Sequence, residues 1–459
     1  MGETSRANVD VGAVVDSARF WGLPSLVMAC AALVMVLDGF DIQIIGFAAP
    51  ALAADLEIER AALAPAFAAS LIGMAFGAFA LGPFGDRRGR RPAILVSIVV
   101  FGLGTLATAG ASNLELLVAL RFVTGIGLGG ALPNATALMA EFAPPKVRGQ
   151  TIAAAIVGIP LGGMLGAAIA AKVISAFGWP TLFVVGGLLP LVTALALYFV
   201  LPESPRFLAA SRGRESELAG VLNRLAKENR FSAHQTFTLP SDLAPKRAGI
   251  AAVLAHGWRL DSLALWIIFI SNLFAVYCFF NWAPVVLTKI GLDLATAVKG
   301  SLIFNTAGVV GSILVSWLVA RLGSRWLLAA LVVIGALSLV YIGKLVAGPS
   351  DSPPSVASIM IAFAIAGCCI LSVQVTMYAV AAHVYPTQCR SAGVGWAAGM
   401  GRLGGVLSAF VGGVLMARAG AAGFFVSIAA ALGLTVVGVL MLQRHLPSSL
   451  TATRVPVLR

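Results

Sequence analysis

The chain has 459 residues, 59% of them hydrophobic and only 11% charged, with a mean hydropathy of +0.96. A soluble domain of this length carries far more charge, so the composition is that of an integral membrane protein. The net charge of +12 gathers in short loops between apolar runs, which is the positive-inside bias and argues against nucleic-acid binding.

Residues up to about Ser17 are polar and mixed in charge (Glu3, Arg6, Asp10, Asp16), unlike the basic start of a signal peptide, so the N-terminus is expected to stay in the cytoplasm. Apolar runs long enough to cross the hydrocarbon core as helices follow near 23–48, 61–81, 92–111, 115–139, 150–172, 180–201, 262–288, 300–320, 326–346, 355–381, 391–417 and 420–443. The predicted fold is an all-α membrane protein of twelve spans in two six-helix bundles. The bundles cover 1–202 and 261–459, and a polar stretch over 203–260 joins them. Within that linker, Leu218, Val221, Leu222 and Leu225 recur at helical spacing and predict an amphipathic surface helix over Arg214 to Arg230. The 50 glycines suit membrane helices that approach closely. Cys30, Cys278, Cys368, Cys369 and Cys389 lack metal-ligand spacing, so neither a disulfide nor a metal site is expected.

The loops set orientation. Asp86-Arg87-Arg88-Gly89-Arg90-Arg91 joins spans two and three, Lys146 and Arg148 join four and five, and Arg321 and Arg325 join eight and nine. Arg390 precedes span eleven and Arg444 follows span twelve, while the intervening loops are acidic or poor in charge. Both termini are therefore expected in the cytoplasm. A weak repeat aligns Gly82-x-x-x-Asp86-Arg87-x-Gly89-Arg90-Arg91 with Ser316-x-x-x-Ala320-Arg321-x-Gly323-Ser324-Arg325.

Four charges lie well inside apolar spans, away from their ends, where each costs about 2.5–3.5 kcal/mol on insertion scales. Asp38 and Asp41 of span one, three residues apart, share a helix face, and desolvation and repulsion suit such a pair to taking up a proton. Arg121 enters span four at a similar depth, about 9 Å below its outer end, and the two acids are its candidate partners. The pairing is either a fixed structural ion pair or a proton-sensitive one. Arg402 lies near the middle of span eleven with no other charge between Ser391 and Ala417, so a bound carboxylate is its natural bidentate partner. The rival is a contact to the span-one acids. Tyr277, Asn281 and Trp282 in span seven, and Gln374 with Tyr378 in span ten, are candidates for a ring-binding wall.

The loop Gly82 to Arg91, together with Leu201-Pro202-Glu203-Ser204-Pro205-Arg206, resembles the major facilitator superfamily over nearly the whole chain. Asp38-Gly39-Phe40-Asp41, Arg121-Phe122-x-x-Gly125-x-Gly127-x-Gly129-Gly130-x-x-Pro133-Asn134, Asn281-Trp282-x-Pro284 and Arg390-x-x-Gly393-Val394-Gly395-Trp396 running to Gly401-Arg402-x-Gly404 are similar to its aromatic acid/proton symporter branch. The resemblance implies uptake of a benzoate-like or phenylpropionate-like anion with protons by alternating access in a bacterial cytoplasmic membrane. It implies a monomer that needs no cofactor beyond the proton gradient. It also places Asp86, Arg87, Arg90, Glu141, Arg148 and Arg390 in a cytoplasmic gate in which Asp86 latches to the start of span eleven. Ala320 stands where family members carry a second loop acid, so the second-half latch is expected to be weaker. Gly158-Ile159-Pro160-Leu161-Gly162-Gly163 departs from the order found in drug/proton antiporters. No nucleophile–base pair, metal set or nucleotide loop points to an enzyme. A carrier of another organic anion or a sugar is the alternative reading.

Overall fold

The computed structural model describes residues 8–238, 253–254, 257–347, 355–385 and 390–447. Among these, twelve helices are long and apolar enough to cross a membrane. Spans one to six are Leu23–Asp55, Ala64–Arg88, Arg90–Thr108, Leu114–Phe142, Gly158–Phe177 and Trp179–Val200. Spans seven to twelve are Arg259–Lys289, Leu294–Leu322, Arg325–Val346, Val356–Val384, Arg390–Arg418 and Gly420–Met441. Pro145–Ile156 is a helical lead-in to span five.

One packing scheme is used twice. In the first half span two packs on four, one on five and three on six; in the second, eight packs on ten, seven on eleven and nine on twelve. The short repeat has a matching cause. Gly89 and Gly323, equivalent in the two halves, turn the chain with φ of 106° and 80°, a conformation that side chains with a Cβ rarely adopt. Each ends one span and starts the next within a residue or two.

The halves meet where spans one and seven, two and eleven, and five and eight touch. The contact is uneven along the molecule. At the end far from the linker, Arg60 donates to the Val285 carbonyl (3.4 Å) and to Thr288 Oγ1 (3.0 Å). There too a Cβ on Gly46 would run into the Phe280 carbonyl oxygen. Toward the linker end, Gly82 of span two and Gly395 and Gly399 of span eleven face open space. The junction between the halves is closely packed at the far end, and at the linker end span ten touches the Pro145–Ile156 lead-in of the first half.

The linker's helix, Glu215–Ala226, buries Leu218, Val221, Leu222 and Leu225, the residues whose spacing predicted it. That face packs on two short helices, Val11–Ser17 and Pro205–Ala210. Asp10 caps the first of these, its Oδ1 accepting from the backbone N–H of Gly12 at 2.8 Å and of Ala13 at 3.2 Å. Asn8–Asp10 pairs in parallel with Thr236–Thr238, a two-stranded ribbon that an all-α reading did not include. Residues 8–17 are therefore part of a small folded platform under the first half. Cys30, Cys278, Cys368 and Cys369 are free thiols, and Cys389 lies outside the described residues.

Candidate functional site

Asp41 and Arg121 meet in the interior of the first half. Arg121 Nη2 donates to Asp41 Oδ2 at 2.9 Å, and both side chains are fully buried. The same nitrogen reaches the Asp41 carbonyl and Ser70 Oγ, each at 3.3 Å. Thr105 Oγ1 donates to Asp41 Oδ1. Four spans thus converge on one ion pair, in which the carboxylate holds one guanidinium nitrogen. Among the described residues Arg121 Nε and Nη1 have no partner, so the pair is not the two-pronged fork that arginine favours.

Asp38 does something else. It is 1% exposed, and neither carboxylate oxygen has a hydrogen-bond partner among the described residues. The charged groups whose fields reach it are Arg402 and Asp41. Tyr277 and Tyr378 lie within electrostatic range of both Asp38 and Arg402. The expectation that both acids hold Arg121 is therefore corrected: Asp41 holds it and Asp38 does not. Three residues advance a helix by about 300°, leaving the two side chains about 60° apart, enough to address different neighbours. Asp41 points into its own bundle, whereas Asp38 belongs to the junction with the second half.

Across that junction Arg402 donates through Nη1 to the Met74 carbonyl of span two at 3.0 Å. Arg402 thus makes an interbundle contact, to a backbone oxygen rather than to an acid, and among the described residues its other donors have no hydrogen-bond partner. Gly405, one turn on, gives Tyr277 room: a Cβ there would stand 2.9 Å from the ring. Tyr378 packs edge-on against Phe269 at 5.2 Å between ring centroids. Asp38, Arg402, Tyr277 and Tyr378, from spans one, eleven, seven and ten, thereby lie within electrostatic range of one another.

Other candidates divide. Gln374 joins this group, its Oε1 accepting from Asn272 Nδ2 at 2.8 Å. Asn281 is buried with its Nδ2 unpartnered, next to the Gly46 contact between the halves. Trp282 does not fit the ring-binding role. It is fully buried, its one N–H is spent on the Ser408 carbonyl at 3.1 Å, and its ring meets Phe67 edge-on at 5.1 Å. An indole with its donor satisfied and its faces packed is a wedge that seals the far end.

Several polar residues at the junction escaped sequence reasoning. Gln43 and Asn305 exchange two side-chain hydrogen bonds across the halves, Asn305 Nδ2 to Gln43 Oε1 at 2.7 Å and Gln43 Nε2 to Asn305 Oδ1 at 3.3 Å. Both are fully buried. Asn272, Ser70 and Thr105 were missed as well. The available signal was rarity, since an amide in a span poor in Asn and Gln needs a partner.

At the linker end Asp86 pairs with Arg90 at 2.6 Å, and Arg90 also reaches Glu141 (3.5 Å) and Asn134 Oδ1 (3.4 Å). Arg87 is exposed. The expected latch from Asp86 to span eleven is absent among the described residues: Asp86 is 63% exposed and bonds within its own half. The side chains of Arg148 and Arg390 lie outside those described. Glu203 is a further member, its Oε1 accepting from the backbone N–H groups of Arg90 (2.9 Å) and Arg91 (3.3 Å) at the start of span three. Burial pushes its carboxyl above the usual range, opposed by these backbone donors. In the second half Arg321 stacks on Trp317, 3.8 Å from the ring centroid.

Two bundles built on one pairing scheme, with buried charges at their junction, are the parts of a carrier that exposes a central site to each side in turn. The chain belongs to the Major Facilitator Superfamily, whose sequence model matches residues 31–353. Such proteins move solutes and are not enzymes. It is 34% identical over 410 residues to a gallate transporter of Pseudomonas putida, covering 89% of each chain. Over 385 residues it is 35% identical to the 4-hydroxybenzoate transporter PcaK of Pseudomonas aeruginosa, covering 84% of each. The fold is shared with the inward-open xylose transporter XylE of E. coli, at a TM-score of 0.70 and 17% identity over 92% of this chain and 96% of that one.

Proposed function

We propose that this chain imports an aromatic carboxylate together with protons across a bacterial cytoplasmic membrane, as a monomer, with both termini and the linker on the cytoplasmic side. The observation that carries the reading is Asp38: a buried carboxylate with no hydrogen-bond partner among the described residues, facing Arg402 from the opposite half. Relatives named for gallate, 4-hydroxybenzoate and benzoate transport support the substrate class. The basic loops at the linker end support the orientation.

The steps follow from charge. With the crevice open outward, the anion binds Arg402 between Tyr277 and Tyr378, and a proton settles on Asp38. Each neutralises a charge that would otherwise resist burial, so the halves can close over the cargo. Opening at the linker end exposes the site to the cytoplasm, where the higher pH removes the proton. The bare Asp38 then competes for Arg402 and displaces the anion. The Asp41–Arg121 pair anchors span one against span four throughout. Only the proton gradient is needed as a driving force.

Cells expressing the chain should accumulate labelled 4-hydroxybenzoate, and a protonophore should reduce accumulation to the level of cells without it. Accumulation that ignores the protonophore removes proton coupling from the reading. The absence of uptake of any aromatic acid removes the substrate.

A further inference from the structure

Where spans one, five and eight meet, Gln43 and Asn305 face each other across the two halves. Asn305 Nδ2 donates to Gln43 Oε1 at 2.7 Å, and Gln43 Nε2 donates to Asn305 Oδ1 at 3.3 Å. Each amide nitrogen also bonds the carbonyl one turn back on its own helix, Gln43 to Gly39 at 3.4 Å and Asn305 to Ser301 at 2.9 Å. Because those carbonyls can only accept, they fix which end of each amide is nitrogen and leave both oxygens to the opposite half. Gly163 of span five makes room for the arrangement, since a Cβ there would stand 1.8 Å from Gln43 Nε2. Both amide side chains are fully buried.

Their position matters as much as their chemistry. On span one, Gln43 lies between Asp41 and Gly46, whose close approach to Phe280 packs the far end. Span eight starts at Leu294, about 16 Å along the helix from Asn305. Separating the halves at the far end therefore parts the two amides. Each nitrogen then keeps its own-helix carbonyl, but both side-chain oxygens lose their donors. A buried oxygen without a donor is costly, and water is the replacement. The junction thus has two stable arrangements at this level, dry with the amides joined and wet with them apart.

We infer that Gln43 and Asn305 are positioning residues for transport: joined, they hold the far end closed, and their exchange of partners with water sets how often the site opens there. Two neutral hydrogen bonds correspond to a bias of about five- to a hundredfold toward the closed arrangement. A solute arriving from that side binds only the open fraction, so the same bias weakens its apparent affinity. The clasp presupposes the alternating-access reading above, and no particular cargo.

Ser301 offers the reporter. It lies one turn nearer the far end than Asn305 on the same face, is buried, and has no partner for its Oγ among the described residues. The rate at which a water-soluble maleimide labels Ser301→Cys in the purified protein, above the background of the native cysteines, reads opening without any substrate. Adding Gln43→Leu or Asn305→Leu should speed labelling by about five- to a hundredfold and lower the KM for 4-hydroxybenzoate uptake. Gln43→Asn combined with Asn305→Gln keeps one long and one short amide across the junction. That double exchange should return labelling to within about threefold of the unmodified pair, whereas either exchange alone should not. If the leucine variants do not fold, the two single exchanges carry the same comparison. Unchanged labelling in the single variants, with uptake intact, overturns the clasp and leaves the transport reading standing. A double exchange that labels as fast as the singles also overturns it, because shape and not hydrogen bonding would then close the junction. A wild type that takes up no aromatic acid removes the cargo and not the clasp.

Discussion

Two carboxylates three residues apart have acquired separate tasks, and single substitutions should separate them. Asp41→Asn leaves Arg121 fully buried without its counter-charge. Breaking a buried pair from one side costs about 3–5 kcal/mol, so the purified variant should melt well below the wild type whatever the substrate. Asp38→Asn replaces an unpartnered acid with a neutral isostere, a mimic of the protonated state. That variant should fold, bind and exchange labelled for unlabelled substrate, yet fail to accumulate it against a gradient. Wild-type accumulation by Asp38→Asn would remove Asp38 from the proton path. The sequence exposed the positions and chemistry of these residues, because charge in an apolar run is conspicuous. It did not reveal which acid holds Arg121, since a rotation of about 60° on one helix has no trace in spacing alone. Trp282 was misjudged for a related reason: an indole can line a ligand or seal an interface, and only its neighbours decide.

Between elements, glycine sets how closely spans approach. Gly46 lets span one lie against the span-seven backbone at Phe280, and that contact helps shut the far end. Gly46→Val should obstruct closure there by about 1–3 kcal/mol, the usual range for overpacking. A cysteine placed at Thr288, beside Arg60 in the same seal, should then react several-fold faster with a membrane-impermeant maleimide. An unchanged rate would mean that the seal does not need this approach. Span existence was easy to read and span ends were not. The expected ends at 48 and 81 stop short of Pro50 and Pro83, but both prolines lie inside helices that run to Asp55 and Arg88. Hydropathy marks the extent of the hydrocarbon layer, whereas these helices continue into the headgroup region. The ribbon joining Asn8–Asp10 to Thr236–Thr238 was out of reach, because its partners are more than two hundred residues apart and too short to carry a pattern.

For the whole molecule, the duplicated packing scheme conceals one inequality. The first half carries Asp86 in its loop, tied to Arg90 and through it to Glu141. The second half carries Ala320, and its Arg321 rests on the face of Trp317. An indole steadies a guanidinium but offers no acceptor for a partner arriving from the other bundle. Asp86→Asn alone should therefore slow uptake severely, and adding Ala320→Asp should restore part of it from the opposite side of the pseudo-twofold axis. Wild-type uptake by Asp86→Asn would show that closure at the linker end draws its strength elsewhere. An acid on that side is then present in one loop where the repeated packing scheme has two equivalent places for one. A single substitution at Asp86 is therefore expected to leave that end without a loop acid in reserve.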